Sequence, residues 1–280
     1  MRCWLIMLAL GVQSGRVMMV DGATGEGKWA VQAYFPGTDS RSRVAMSPGD
    51  GKFVASVGFD DGRWKLWDSA SGAVHRVGAT HDGTGACTCT MPTREDGCPV
   101  VAHTGGICAV AFTPCGQTFA TGGQDGAVIM WDVQTGAVEY RLQGGSSCCS
   151  VSFSAEGARL ASGHADCSIR VWDAKRGVIL RTIPAAHVSF MTSVNFSPIN
   201  DRILVTKGGD SHIHVWDIES GEKVRSMAGL AFAAFSPVLS PDGRTVAIAS
   251  TRDARDVHLV DVESGALLLE MAGKPPTLDP

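Results

Sequence analysis

One phrase recurs along this 280-residue chain and limits its fold more than any other feature. It reads DGAVIMWDVQTGA from Asp125, DCSIRVWDAKRGV from Asp166, DSHIHVWDIESGE from Asp210 and DGRWKLWDSASGA from Asp61. Each copy opens on a turn, runs through a short strand into Trp-Asp, and closes on a second turn that contains glycine. Two weaker copies, DVHLVDVESGA from Asp256 and GRVMMVDGATGE from Gly15, carry Val260 and Val20 where the others have tryptophan. The closing aspartates, Asp21, Asp68, Asp132, Asp173, Asp217 and Asp261, lie 47, 64, 41, 44 and 44 residues apart. Periods of about 40–45 residues mark repeated four-stranded units.

The best-formed unit runs from His103 to Arg141. Its pattern predicts strands over Ile107 to Phe112 and Thr118 to Thr121, a third ending at Trp131, and a fourth over Val138 to Leu142, all joined by short turns. Four strands in this order form an antiparallel meander. Both faces of such a sheet carry apolar residues, so each must pack against the next, and the stable arrangement is a ring.

Composition agrees with a β-rich chain. Most of the 34 glycines fall between short apolar runs, where tight turns need positive φ. A net charge of −4 with both signs scattered gives no footprint for nucleic acid. The nine cysteines, with Cys108, Cys149 and Cys167 read inside strands, suit free thiols in a reducing compartment better than a disulfide framework. Residues 1–14, MRCWLIMLALGVQS, fit a strand preceding GRVMMVD, although their charge and apolar run also resemble a secretory signal. No apolar run reaches the ~18 residues needed to span a membrane.

The Trp-Asp units plainly resemble the WD-repeat (WD40-type) family of β-propellers, over nearly the whole chain. The resemblance implies an all-β propeller of four-stranded antiparallel blades, with about six repeat units and an incomplete first blade. It implies a single domain over 1–280, interrupted by a loop insertion at about 80–102 and ending in a tail at 274–280. Two readings of closure stay open: a six-bladed ring short of one inner strand, or part of a seven- or eight-bladed propeller. The family also carries a buried His, Ser/Thr, Asp and Trp network. By resemblance His103, Thr121, Asp125 and Trp131 form one set, and His187, Thr206, Asp210 and Trp216 another. A third set has Ser162, Asp166 and Trp172 at the same offsets, but GGSSCCS stands where the histidine belongs, so this network is expected to be incomplete. In the unit ending at Asp68 one extra residue leaves Asp60 and Asp61 competing for the turn position.

These sets are read as structural, because a tryptophan indole only donates and buried polar groups need partners. Two other features invite a functional reading. DGATGEGK, residues 21–28, lacks the spacing of a phosphate loop and reads as a turn. In the 80–102 insertion, His81, Cys87, Cys89 and Cys98, with His103 beyond it, lack paired zinc spacing, and a polar loop is the ordinary reading. No catalytic residue, metal or cofactor is therefore expected. The resemblance implies a non-catalytic scaffold that holds protein partners on its top face and rim. The alternative is an enzyme or small-ligand binder that uses the central channel. Family offsets place Phe190, Thr192, Gln124, Cys108 and Ser42 on the candidate partner surface, with Ser40, Gly106, Ser147, Cys149, Gly209 and Ala231 beside them. The expected partner is protein, with neither nucleic acid nor membrane, and the incomplete first blade suggests self-association. The expected location is cytoplasmic, with the nucleus second and secretion less favoured.

Overall fold

The computed structural model describes residues 7–11, 16–21, 24, 26–32, 43–59, 62–78, 103–227, 237–249 and 257–271. Among these, every regular element is a β-strand, and no helix is long and apolar enough to cross a membrane. The strands form antiparallel sheets in chain order. The first sheet holds β1 (Met7–Gly11), β2 (Arg16–Asp21) and β3 (Gly27–Gln32). The second holds β4 (Arg43–Met46), β5 (Phe53–Val57), β6 (Trp64–Asp68) and β7 (Val74–Gly78), and the third β8 (Ile107–Phe112), β9 (Thr118–Gly123), β10 (Ala127–Asp132) and β11 (Val138–Gln143). The fourth holds β12 (Cys148–Phe153), β13 (Arg159–His164), β14 (Ile169–Asp173) and β15 (Val178–Ile183). The fifth holds β16 (Met191–Phe196), β17 (Ile203–Gly208), β18 (Ile213–Asp217) and β19 (Glu222–Met227). The sixth holds β20 (Val238–Leu239), β21 (Thr245–Ala249), β22 (Val257–Asp261) and β23 (Leu267–Met271). The fold is thus all-β, built of propeller-type blades. It divides into two compact units, Met1–Val151 and Ser152–Pro280, with the boundary inside β12.

The recurring phrase now has a physical reading. Its Trp-Asp strand is the third of each blade, paired on both sides, and its aspartate organises the turn that follows. Asp132 Oδ1 accepts bonds from the Thr135 amide and hydroxyl, both at 2.7 Å, and Gly136 closes the turn at φ +72°. The same bond from the residue three positions on, a side-chain-capped turn, recurs at Asp21, Asp68, Asp173, Asp217 and Asp261. In all six sheets the register between third and fourth strands shifts at the tryptophan position or its replacement, a bulge that lets the turn close.

Burial follows strand rank. After their first residue the second strands β9, β13 and β17 are wholly buried, whereas β15, β19 and β23 are exposed at most positions. A strand covered on both faces reads as a continuous apolar run, and an outer strand need not. In the first unit the core is aromatic: Trp64 meets Phe119 and Trp131 edge-on, each at 5.0 Å between centroids. Pairs of this kind contribute about 0.5–1.5 kcal/mol beyond the area they bury. In the second unit Met191, Val194 and Phe196 pack with Ala161, Ile169 and Trp216, while Val205, Val215 and Val246 form a neighbouring cluster.

Arginines on the fourth strands bind the next blade's turn. Arg76 donates to the Gln134 carbonyl at 2.8 Å in the first unit, and in the second Arg225 donates to the Ser264 carbonyl at 3.2 Å. Arg181 reaches the Ser220 carbonyl at 3.4 Å in the same way. Tyr140 holds the corresponding register position in β11.

Several expectations meet the structure directly. Within the stretch 1–14, Met7–Gly11 pairs with β2 from Met7↔Asp21 to Gly11↔Val17. Three of the first sheet's strands are described, and β2 is its Trp-Asp counterpart, so β1 corresponds to a second strand. Cys108 and Cys149 lie in β8 and β12, but Cys167 does not lie in a strand. It sits at φ +64° in the turn between β13 and β14, where Gly126 sits at +75° in the third blade. The residues after Asp125 and Asp166 thus share a left-handed position. Asp60, Asp61 and the 80–102 insertion lie outside the described residues, as does the 274–280 tail.

Candidate functional site

The top of the fifth blade is built from a short segment before β16 and the turn between β17 and β18. His187 enters first and is buried. Its Nδ1 lies 3.0 Å from Asp210 Oδ1, its Nε2 lies 2.9 Å from Thr206 Oγ1, and Trp216 Nε1 donates to that same hydroxyl oxygen at 2.9 Å. The roles follow from valence: the indole and the carboxylate fix both ends, so in the neutral ring Nδ1–H donates to Asp210 and Nε2 accepts from Thr206. Burial lowers the His187 pKa, against the opposing pull of Asp210, which favours that neutral ring. The Asp210 carboxylate is held below its usual range even though burial opposes this, because the backbone amides of His212 and Val188 and the His187 ring donate to it.

The third blade repeats the arrangement. His103 Nδ1 is 2.9 Å from Asp125 Oδ1, His103 Nε2 is 2.8 Å from Thr121 Oγ1, and Trp131 Nε1 donates to Thr121 at 2.8 Å. Asp125 also takes the Thr104 amide at 3.0 Å and the Arg141 guanidinium at 2.6 Å. Burial would raise its pKa, but these partners, His103 first, hold it well down. Both blades leave room for the imidazole in the same way: a Cβ added at Gly123 would lie 2.2 Å from His103 Nδ1, and at Gly208 2.6 Å from the His187 ring.

In the fourth blade a histidine reaches the hydroxyl from another place in the chain, while the aspartate stays outside the network. Trp172 Nε1 donates to Ser162 Oγ at 2.8 Å, and His164 Nε2 lies 2.8 Å from the same oxygen. The histidine comes from the second strand, two residues after the serine, at the position that holds Gly123 and Gly208 in the neighbouring blades. Among the described residues, Asp166 is bonded by Ser168 and Arg170 rather than by a histidine. It caps its own turn through Ser168 and pairs with Arg170 at 2.9 Å, and these bonds outweigh burial to hold its pKa at about 2. In the second blade Trp67 donates to Ser56 at 2.8 Å across eleven residues rather than ten, so the extra residue falls in the turn between β5 and β6.

The residues assigned to the partner surface divide. Phe190 is 58% exposed and its ring lies over Gly209, where a Cβ would come within 2.8 Å. Gln124 is exposed and its Oε1 accepts the Gly106 amide at 3.1 Å. Thr192 is half-buried and spends its hydroxyl on the Lys207 carbonyl at 2.9 Å. Cys108 is also half-buried, and burial pushes its thiol up to about 11, which makes it a poor nucleophile. Ser40, Ser42 and Ala231 lie outside the described residues.

Sequence reasoning missed Val188, which is 96% exposed and stands next to the buried His187. Its amide donates to Asp210 Oδ2 at 2.9 Å, and two residues on the Phe190 carbonyl accepts the Gly209 amide at 2.9 Å. The segment 187–190 is therefore fixed at both ends while its two apolar side chains face solvent. Position after the blade histidine was the available signal, but no periodic pattern marks Val188.

Comparison with known proteins adds the family. A search of curated proteins returned no match. The family model described as WD domain, G-beta repeat, matches residues 97–132, 136–173 and 177–217, three consecutive repeats that cover the third, fourth and fifth Trp-Asp strands.

Proposed function

Because this chain is a member of the WD-repeat family, we propose that it is a non-catalytic scaffold, one domain over 1–280, holding protein partners through the top face and rim of its blades. WD repeats generally mediate protein–protein contact, but a fold alone does not assign a function. One observation carries the reading: Val188 and Phe190 project from a segment clamped by Asp210 and Gly209, and both are exposed. Apolar side chains on a rigid base lose little entropy when covered, and an aromatic among small polar neighbours is the usual form of an interface anchor. Gln124 on the third blade is read as part of the same kind of surface.

Two finer points belong to this reading. The cytoplasm is the proposed location, supported by Cys108, Cys115 and Cys167, which are free thiols. Self-association is proposed through β1, which lies at an edge of the first sheet among the described residues, where unpaired backbone groups accept another strand. Light scattering on the purified chain tests the second point. Capture of a partner by wild type and by Phe190→Ala tests the reading itself, with weaker capture by a folded variant expected.

A further inference from the structure

The fifth blade differs from its neighbours in one chemical respect. Its phrase reads Asp210-x-His212-x-His214-x-Trp216; β18 begins at Ile213, where alternate residues such as His214 and Trp216 point to one face, and Asp210 enters from the turn before it. The third blade has Ala127 and Ile129 at the two histidine positions, and the fourth has Ser168 and Arg170. The blade histidine His187 meets this face from the preceding segment. One ligand atom from each of His187, Asp210 and His214 lies within 4.8 Å of the other two. His212 flanks them, its Nδ1 4.0 Å from Asp210 Oδ1 and its side chain 43% exposed.

A second observation points to a ligand. His214 is 5% exposed, and its Nδ1 is buried with no hydrogen-bond partner. Buried ring nitrogens are almost always satisfied, and histidine is the commonest side-chain ligand of metal ions. We propose that His187, Asp210 and His214, with His212 at the solvent rim, form a site for a divalent transition-metal ion of the zinc class.

The existing network is compatible with such an ion. Bonds of about 2.0–2.1 Å to a tetrahedral ion set its ligand atoms about 3.3 Å apart. His187 Nδ1 and Asp210 Oδ1, now 3.0 Å apart, would hardly move. His187 would lose its Nδ1 proton to solvent and take one at Nε2. The contact to Thr206 then survives with its direction reversed, because a hydroxyl oxygen has two lone pairs, one for the Trp216 indole and one for His187. The rings of His187 and His214 are stacked at 4.4 Å and 11°, so their in-plane lone pairs run parallel. Sharing one ion therefore requires the His214 ring to turn about its Cβ–Cγ bond, a broad torsion for histidine. Asp210 supplies the anionic oxygen, its carboxylate oriented by the Val188 and His212 amides at 2.9 and 3.1 Å.

The test uses the full chain after chelator treatment, titrated with Co(II) and then with Zn(II). One Co(II) per chain is expected, with the visible absorption of a nitrogen and oxygen site of low coordination number, displaced by Zn(II). His214→Ile and His212→Ala install the residues that the third blade carries, so both are expected to fold and to melt in chelator near wild type. Each is expected to weaken Co(II) binding at least tenfold. No Co(II) spectrum with wild type, or unchanged binding by a folded His214→Ile or His212→Ala, overturns the proposal. So does a strong sulfur-to-cobalt charge-transfer band that persists in both variants, which puts the ion on cysteines.

Discussion

Trp172 donates to Ser162 at 2.8 Å as Trp131 donates to Thr121, yet the histidine on that hydroxyl is His164 in one blade and His103 in the other. One arrives from the strand and the other from the preceding segment. In the third, fourth and fifth blades an imidazole meets the hydroxyl, whichever part of the chain delivers it. His164→Ala should leave the Ser162 hydroxyl short of a partner at zero exposure and destabilise the chain by about 1–3 kcal/mol. Denaturant melts measure the loss, and a midpoint equal to wild type would show that His164 is not part of the network.

Asp125→Ala removes the acceptor of His103, Thr104 and Arg141 together. A loss of roughly 1–3 kcal/mol is expected, because the donors on His103 and Thr104 are left without it. Glu156→Ala, in an exposed turn, should stay within about 0.5 kcal/mol. Equal midpoints for the two variants would remove the assignment.

Acid should weaken the fifth blade before it weakens the rest. Burial, then like-charge repulsion from His187 once it protonates and from Lys223, lowers the His214 pKa to about 4, with Asp210 opposing. Its unfolded value is near 6.5. The unfolded chain therefore binds more protons between these values, and stability falls as pH drops from about 6.5 toward 4. Below that window the folded ring charges as well and this slope ends. Melts in chelator across this range should show the decline, and His214→Ile should flatten it. A decline of the same steepness in the variant would move the effect to other groups, of which buried His187 shifts in the same direction.

Much of this was legible in the sequence, and the reasons are local. The strands of the third blade appear at Ile107–Phe112, Thr118–Gly123, Ala127–Asp132 and Val138–Gln143, within two residues of the reading, because Asp-Gly turns and apolar runs set them. The Thr121, Asp125 and Trp131 spacing was readable because strand pairing fixes it. His164 was not, since the missing histidine was sought at a place in the chain rather than at a place in space. Cys167 was misread because a left-handed turn position seldom takes a residue other than glycine. The Asp-x-His-x-His pattern was in plain sight, but it needed the position of His187 to acquire meaning. Exposure separates Phe190, three residues after its blade histidine, from Thr192 and Cys108, which lie five residues after theirs and are half-buried.

The most direct measurement concerns the Val188–Phe190 segment. The tagged chain is expressed, its principal co-purifying protein is identified, and affinity is then measured between purified components for wild type and Phe190→Ala. Truncating a central aromatic anchor typically costs about 2 kcal/mol or more of binding, roughly a 30-fold loss in affinity. Because the Phe190 ring is 58% exposed, the melt should move by no more than about 0.5 kcal/mol. A large loss of affinity with an unchanged melt is the predicted result. Full affinity in a folded Phe190→Ala variant would contradict the account.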